Sequence, residues 1–414
     1  MSSAPVVDDR VRDRVLFFVF ITVFLDLIGF GIVFPLLPFY VESMGGSPAT
    51  VGFILASFSI SQLIASPVLG RLSDRFGRRP VILVSLFGNA LSMVVFALAT
   101  RVSLLPLLFF SRIVAGFTAG NLAACQAAIA DVMKTGEERA RGMGRLGAGI
   151  GLGFVLGPVL GSTLSHFGAW APPLGAAAIA IADLLGAVFL MPETRHFPEP
   201  DPAEAVAQKP RFLPRFDSRG MWLALSRKRV VLVLLLYFFL FLVLTNMQVA
   251  LALLAKARLD WGSGEIGHIF GLIGLITLVV QGFLVGRLAR VFGQINLVIV
   301  GSLFSAAGML AVSLAYHAAP LLAGLALVAL GYGIVNPLLS SIAADAAGET
   351  SGGTVLGIAQ SSGGLARTLG PILGGILFAR IGAGAPFAAG AVSAMVCVLL
   401  GLILRNVRDD TVNQ

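Results

Sequence analysis

Four ionisable residues stand where a chain normally avoids charge: Asp26, Arg112, Asp183 and Arg367 each lie within a long apolar stretch. A charge at bilayer depth costs ~2.5 kcal/mol or more on insertion scales, so such a residue marks a proton path, a substrate contact or a buried interhelical pair. Asp26 falls about halfway along the first stretch. Low dielectric disfavours a carboxylate's ionised form, so an acid placed there can trade a proton near neutral pH; the competing reading is a hydrogen bond that ties two helices. Arg112 suits a counter-charge to a proton carrier, or else a side chain snorkelling to the interface. Asp183 is equally deep and is read either as part of the proton-coupling set or as a packing contact. Arg367, just before Gly370-Pro371, suits pairing or an anionic substrate group. Asp131 stands at the end of its stretch and fits a gate or loop contact.

A second set is polar but neutral. Gln62, Asn121, Gln126, Asn246, Gln248, Gln281, Asn336 and Gln360, with Phe30, Phe34 and Phe58, would form an amphipathic pocket with few fixed charges. Such a pocket favours a mostly apolar organic molecule that is neutral, zwitterionic or cationic. Taken singly, each Asn or Gln is more often glue between helices. Asn246 and Gln248 are about 200° apart on a helix, so one at most faces a pocket. No nucleophile-elbow serine, metal-spaced His/Cys set or phosphate-cradling GxxxxGK[ST] loop is present, so the expectation is no catalytic residue, no metal and no cofactor.

The elements that must position these residues follow from composition. The 414 residues are 57% hydrophobic and only 12% charged, with 49 glycines and a mean hydropathy of +0.93. A soluble domain cannot hide that much apolar surface, and a disordered chain would carry far less of it. With only Cys125 and Cys397, a disulfide scaffold is excluded. The net charge of +8 lacks the folded basic patch that nucleic acid requires. What remains is an all-α polytopic membrane protein. Twelve apolar stretches are long enough to span, at about 15–40, 49–70, 80–100, 103–133, 141–168, 170–191, 230–258, 263–286, 295–316, 319–344, 354–382 and 384–405. No cleavable signal peptide is read before the first. An even count puts both termini on one side. Apart from Arg101, Lys256, Arg258 and Arg380, and the embedded Arg112 and Arg367, every basic residue falls on that side, which is therefore expected to be cytoplasmic. The expected organisation is a bundle over 1–191, a cytoplasmic linker over 192–229 and a bundle over 230–414.

The halves repeat one another. GRLSDRFG at 70–77 returns as GRLARVFG at 286–293; Gly116, Phe117 and Asn121 return as Gly331, Tyr332 and Asn336; GPVLGS at 157–162 returns as GPILGG at 370–375. Three matches in order on equivalent spans indicate a duplicated six-helix unit of the kind that builds one large transporter class, with a binding cavity between the halves.

The segment Gly70-Arg71-Leu72-Ser73-Asp74-Arg75-Phe76-Gly77-Arg78-Arg79 resembles the signature loop of the major facilitator superfamily. An acid flanked by arginines can bridge to a helix end or a basic partner, so Gly70, Asp74, Arg75, Gly77, Arg78 and Arg79 are candidates for a latch between halves. In the second copy Arg290 replaces the acid. Leu25-Asp26-Leu27-Ile28-Gly29-Phe30-Gly31, Arg112-Ile113-Val114-Ala115-Gly116 and the Gly153, Gly157, Pro158, Gly161 series resemble spans one, four and five of twelve-span drug:proton antiporters, closest to the tetracycline exporters. The resemblance implies a monomeric, proton-driven exporter of hydrophobic or amphipathic small molecules in a bacterial inner membrane, rocking between two states, with Asp26, Arg112 and Asp183 in proton coupling. It implies a cavity including Phe30, Phe34, Gln62, Asn121, Gln126, Asn246, Gln281, Asn336, Gln360 and Arg367. Tetracycline exporters typically carry further acids in spans three and nine; here span three has Asn89 and Ser92, and 295–316 has no carboxylate, which argues against tetracycline itself. A lipid flippase or a metabolite importer on the same fold are the alternatives.

Overall fold

The computed structural model describes residues 9–133, 136–194, 226–347 and 352–407. Most of the linker expected over 192–229 therefore lies outside the described residues. Twelve long helices account for nearly all the rest, and no strand occurs among the described residues. They are α1 (Arg12–Ser43), α2 (Pro48–Phe76), α3 (Arg78–Val102), α4 (Leu105–Val132), α5 (Gly136–Ser165), α6 (Ala171–Leu190), α7 (Lys228–Leu259), α8 (Ser263–Phe292), α9 (Gln294–Leu314), α10 (Ala318–Ala347), α11 (Gly352–Arg380) and α12 (Ala385–Asn406). Eleven are long and apolar enough to cross a membrane. The twelfth, α11, is diluted by Gln360, Ser361, Ser362, Arg367 and Thr368, and it lies between α7, α10 and α2. Phe17, Phe53, Phe87, Phe189 and Phe283 lie exposed along the helices, as lipid-facing surface requires.

Packing in the first six helices is repeated in the second six. α5 lies on α1 as α11 lies on α7; α3 packs on α4 and α6 as α9 packs on α10 and α12. Glycine sets the close approach. A Cβ on Gly157 or Gly161 would meet backbone of α1 at Ile28, Gly31 or Ile32, and one on Gly370 or Gly374 would meet Thr245 or Asn246 of α7. The Gly153–Gly161 series of α5 is thus a helix-packing face, and the helix runs unbroken through Pro158. The repeated GRLxxxFG segments end α2 and α8 at Gly77 (φ +103) and Gly293 (φ +79), a left-handed corner that glycine adopts without steric cost.

Three helices are irregular. α1 tightens to a 3-10 turn at Phe34–Leu36, where Pro35 and Pro38 withhold backbone donors. α4 breaks between Thr118 and Asn121. α8 widens to a π turn at Val280–Leu284.

The halves join along α2 with α11 and α5 with α8. Contacts gather at the end away from the chain termini. There Gly52 faces the Pro371 carbonyl, Gly375 faces Pro48, the Ser162 hydroxyl donates to the Gly264 carbonyl at 2.8 Å, and Ser165 and Ser263 hydroxyls meet at 2.9 Å. Lys256 Nζ reaches Glu42 at 2.9 Å, and Phe39 packs against the apolar cores of both halves.

Candidate functional site

Asp26 is half-buried inside the first six helices. Asn89 Nδ2 of α3 donates to its Oδ1 at 2.9 Å, and Asn121 Nδ2 of α4 donates to its Oδ2. The break in α4 delivers that second amide. Gly116 and Gly120 bring α4 against Phe58 and Leu69 of α2, the helix stops at Thr118, and Asn121 opens the next segment. One turn before Asp26, Thr22 Oγ1 donates to Asp183 Oδ1 of α6 at 3.1 Å. Asp183 is 4% exposed, its Oδ2 has no partner among the described residues, and its charge bears on Asp26. Two acids from α1 and α6 thus share a neutral polar cage of Thr22, Asn89 and Asn121. An acid pair with so little access to solvent is a candidate for handling a proton.

A cleft of about 600 Å³, including its open mouth, lies between the halves. Its lining comes from α1 (Phe30, Val33, Phe34, Leu37), α2 (Leu55, Phe58, Ser59, Gln62), α4 (Arg112), α7 (Thr245, Gln248) and α11 (Arg367, Pro371). Phe30 stacks on Phe34 with centroids 4.8 Å apart and leans on Phe58 at 6.1 Å, giving one aromatic wall. Arg112 is 5% exposed and lies over the Phe96 ring at 4.8 Å; Arg367 lies over Phe241 at 4.7 Å. Phe30 belongs to this wall and is one turn along α1 from Asp26, so cleft and acid cage are neighbours on one helix.

Of the residues expected in the cavity, Phe30, Phe34, Gln62 and Arg367 line it. Asn121 does not; it is spent on Asp26. Asn246 does not either, because its amide donates to the Pro386 carbonyl inside the second bundle, and Gln248 takes the cleft position instead. Gln126, Gln281 and Gln360 are exposed and Asn336 is half-buried, none of them in this lining. Arg112, expected with the proton residues, is a cleft residue, and Ser59 and Thr245 complete its polar lining.

The partners that Arg78 and Arg79 take at the end of α2 lie in the first half. Arg78 pairs with Asp74 and, at 2.9 Å, with Asp131, and its Nη1 donates to Ser73 at 3.2 Å. Glu193, just past α6, accepts the Arg78 and Arg79 backbone N–H groups at 2.9 and 3.2 Å and so caps α3, while Arg79 Nη2 donates to the Val188 carbonyl at 2.7 Å. Arg75 lies over the Phe76 ring, and Gly70 has open space around it. Asp131, expected at a gate or a loop contact, pairs with Arg78 of this loop. Glu193 was missed, although an acid just past a span, with a helix start elsewhere in need of an acceptor, was the available signal.

Comparisons with known proteins agree with this architecture. The family model described as Major Facilitator Superfamily matches residues 19–368 and, in a second match, 233–413. The class C tetracycline resistance protein of Escherichia coli is 31% identical over 386 residues, covering 91% of this chain and 93% of that protein. Multidrug resistance protein 2 of Bacillus subtilis is 28% identical and covers 86% of each. The crystal structure of the human organic anion transporter MFSD10 (TETRAN) superposes with a TM-score of 0.67 at 29% identity, covering 94% of this chain and 99% of that one. With the repeated six-helix packing and the cleft between the halves, these matches settle the lineage: the chain is a multi-pass membrane transporter, not an enzyme, and belongs to the major facilitator superfamily.

Proposed function

We propose that this transporter is a proton-coupled exporter of hydrophobic and amphipathic small molecules, working as a monomer in a plasma membrane of the bacterial inner-membrane type with both termini cytoplasmic. The observation that carries the reading is Asp26: an acid inside an apolar helix, held by two amides, beside a second acid and one turn from the cargo wall. Proton uptake at Asp26 changes the charge of the α1–α3–α4 junction, and α1 relays that change to Phe30 and Phe34. The two six-helix sets are the bodies that rock, and the glycine-rich seams of α2 with α11 and α5 with α8 are where they part. Names of relatives support efflux, and together they span tetracycline, multidrug and organic-anion cargo. The common chemistry is an organic molecule with a large apolar body and an ionisable group.

The test is Asp26→Asn in proteoliposomes with an imposed pH gradient. The amide matches the carboxyl in size but cannot carry a proton, so gradient-driven flux should vanish while expression and folding persist. Unchanged pH-driven flux in that variant removes Asp26 from the mechanism.

A further inference from the structure

The cleft contains two guanidinium groups and, among the described residues, no carboxylate. Arg112 has only the Ser111 hydroxyl at 3.4 Å and the Met93 sulfur at 3.8 Å as acceptors, both weak, against the five N–H donors of its fork. Among the described residues neither Arg112 nor Arg367 forms an ion pair. A ring beneath each guanidinium eases its burial without supplying a counter-charge. The two acids that could have neutralised them, Asp26 and Asp183, are turned into their own cage with Thr22, Asn89 and Asn121. A cation removed from water without a partner is unfavourable, and this cleft has one on each side, the buried Arg112 from the first half and the half-buried Arg367 from the second.

We propose that the missing counter-charge is the cargo: an amphipathic organic anion whose carboxylate or sulfonate is shared by Arg112 and Arg367, while its apolar body lies on Phe30, Phe34 and Phe58. This departs from the neutral, zwitterionic or cationic cargo expected from the sequence and takes up the anion contact expected of Arg367, because Arg112 also belongs to the cleft. Since the two arginines sit on opposite halves, the anion also ties the halves together, and the bound cargo becomes part of what closes the cleft. The inference rests on the exporter reading only in taking this cleft as the cargo site; it does not depend on protons.

The experiment uses purified full-length protein and three probes with one aromatic body: 1-pyrenebutyrate, its primary amide and 1-pyrenebutylamine. Ligands that bind the folded state raise the unfolding midpoint in proportion to affinity, so a thermal titration ranks them without any transport step. The carboxylate is expected to bind about tenfold or more tighter than the amide, the amine weakest, because charge-assisted bidentate bonds are the strong ones. Arg367→Gln and Arg112→Gln should each erase the carboxylate preference, and Arg367→Lys should keep part of it. Equal binding of the amide, stronger binding of the amine, or an intact carboxylate preference in Arg367→Gln overturns the proposal. Should Arg112→Gln fail to fold, Arg112→Lys and Arg367→Gln carry the test. Unchanged pH-driven flux in Asp26→Asn with the carboxylate preference intact would sink the proton reading and leave the anion site standing; vanished flux in that variant with no carboxylate preference would sink the anion site alone.

Discussion

At the scale of single residues, the acid cage turns on amides contributed from far along the chain. Asn89 and Asn121 are 63 and 95 residues from Asp26, and each gives it one hydrogen bond. A hydrogen bond to a charged group contributes about 1.5–3 kcal/mol, so Asn121→Ala should lower thermal stability by that order and slow gradient-driven flux, read by melting and by proteoliposome transport. Unaltered flux would show that Asn121 only packs. Asp26 was legible in the sequence because an acid in an apolar run is conspicuous on its own. Its partners were not, because an Asn on another helix looks the same whether it lines a pocket or serves an acid. Asn246 and Gln248 show the same limit: helical angle allowed at most one of them to face the cleft, and only the Pro386 carbonyl, contributed by α12, takes Asn246 out of it.

At the scale of elements, helix ends and seams carry the predictions. Glu193 caps α3 with both carboxylate oxygens, and Glu193→Ala should cost about 1 kcal/mol, seen as a lower unfolding midpoint with cargo affinity unchanged. On the seam, a Cβ at Gly52 would run into the Pro371 carbonyl oxygen. Overpacking costs about 1–3 kcal/mol, so Gly52→Val should depopulate the arrangement closed at that end about tenfold or more. Distances between spin labels on the 43–48 and 381–384 turns should lengthen; unchanged distances would mean that the seam yields elsewhere. Spans were readable from apolar length, and the repeats from the GRLxxxFG segments, because the same corner is needed at Gly77 and Gly293. The break in α4 and the π turn in α8 were not readable, since Gly120 and Gly282 look like any of the many glycines here.

At the scale of the whole molecule, the end away from the termini is shut, among the described residues, by glycine contacts, two serine contacts, Phe39 and one exposed ion pair, Glu42 with Lys256. Exposed pairs contribute about 0–1 kcal/mol and are screened by salt, so Glu42→Ala should barely change stability, and Glu42→Lys combined with Lys256→Glu should recover whatever either single reversal loses. A double-mutant cycle at low and high salt measures this. A closure so lightly fastened can be reopened within a transport cycle, which a well-packed apolar plug would resist. The π turn of α8 has a separate consequence. α2 has 29 residues and α8 has 30, and both finish at the same glycine corner. One added residue would swing everything after it by about 100° and carry the GRL segment off its face. The wide turn at Val280–Leu284 accommodates that residue, so between the start of each helix and its glycine corner the two halves differ by one position, and a mutation carried from α2 to α8 must be renumbered across it.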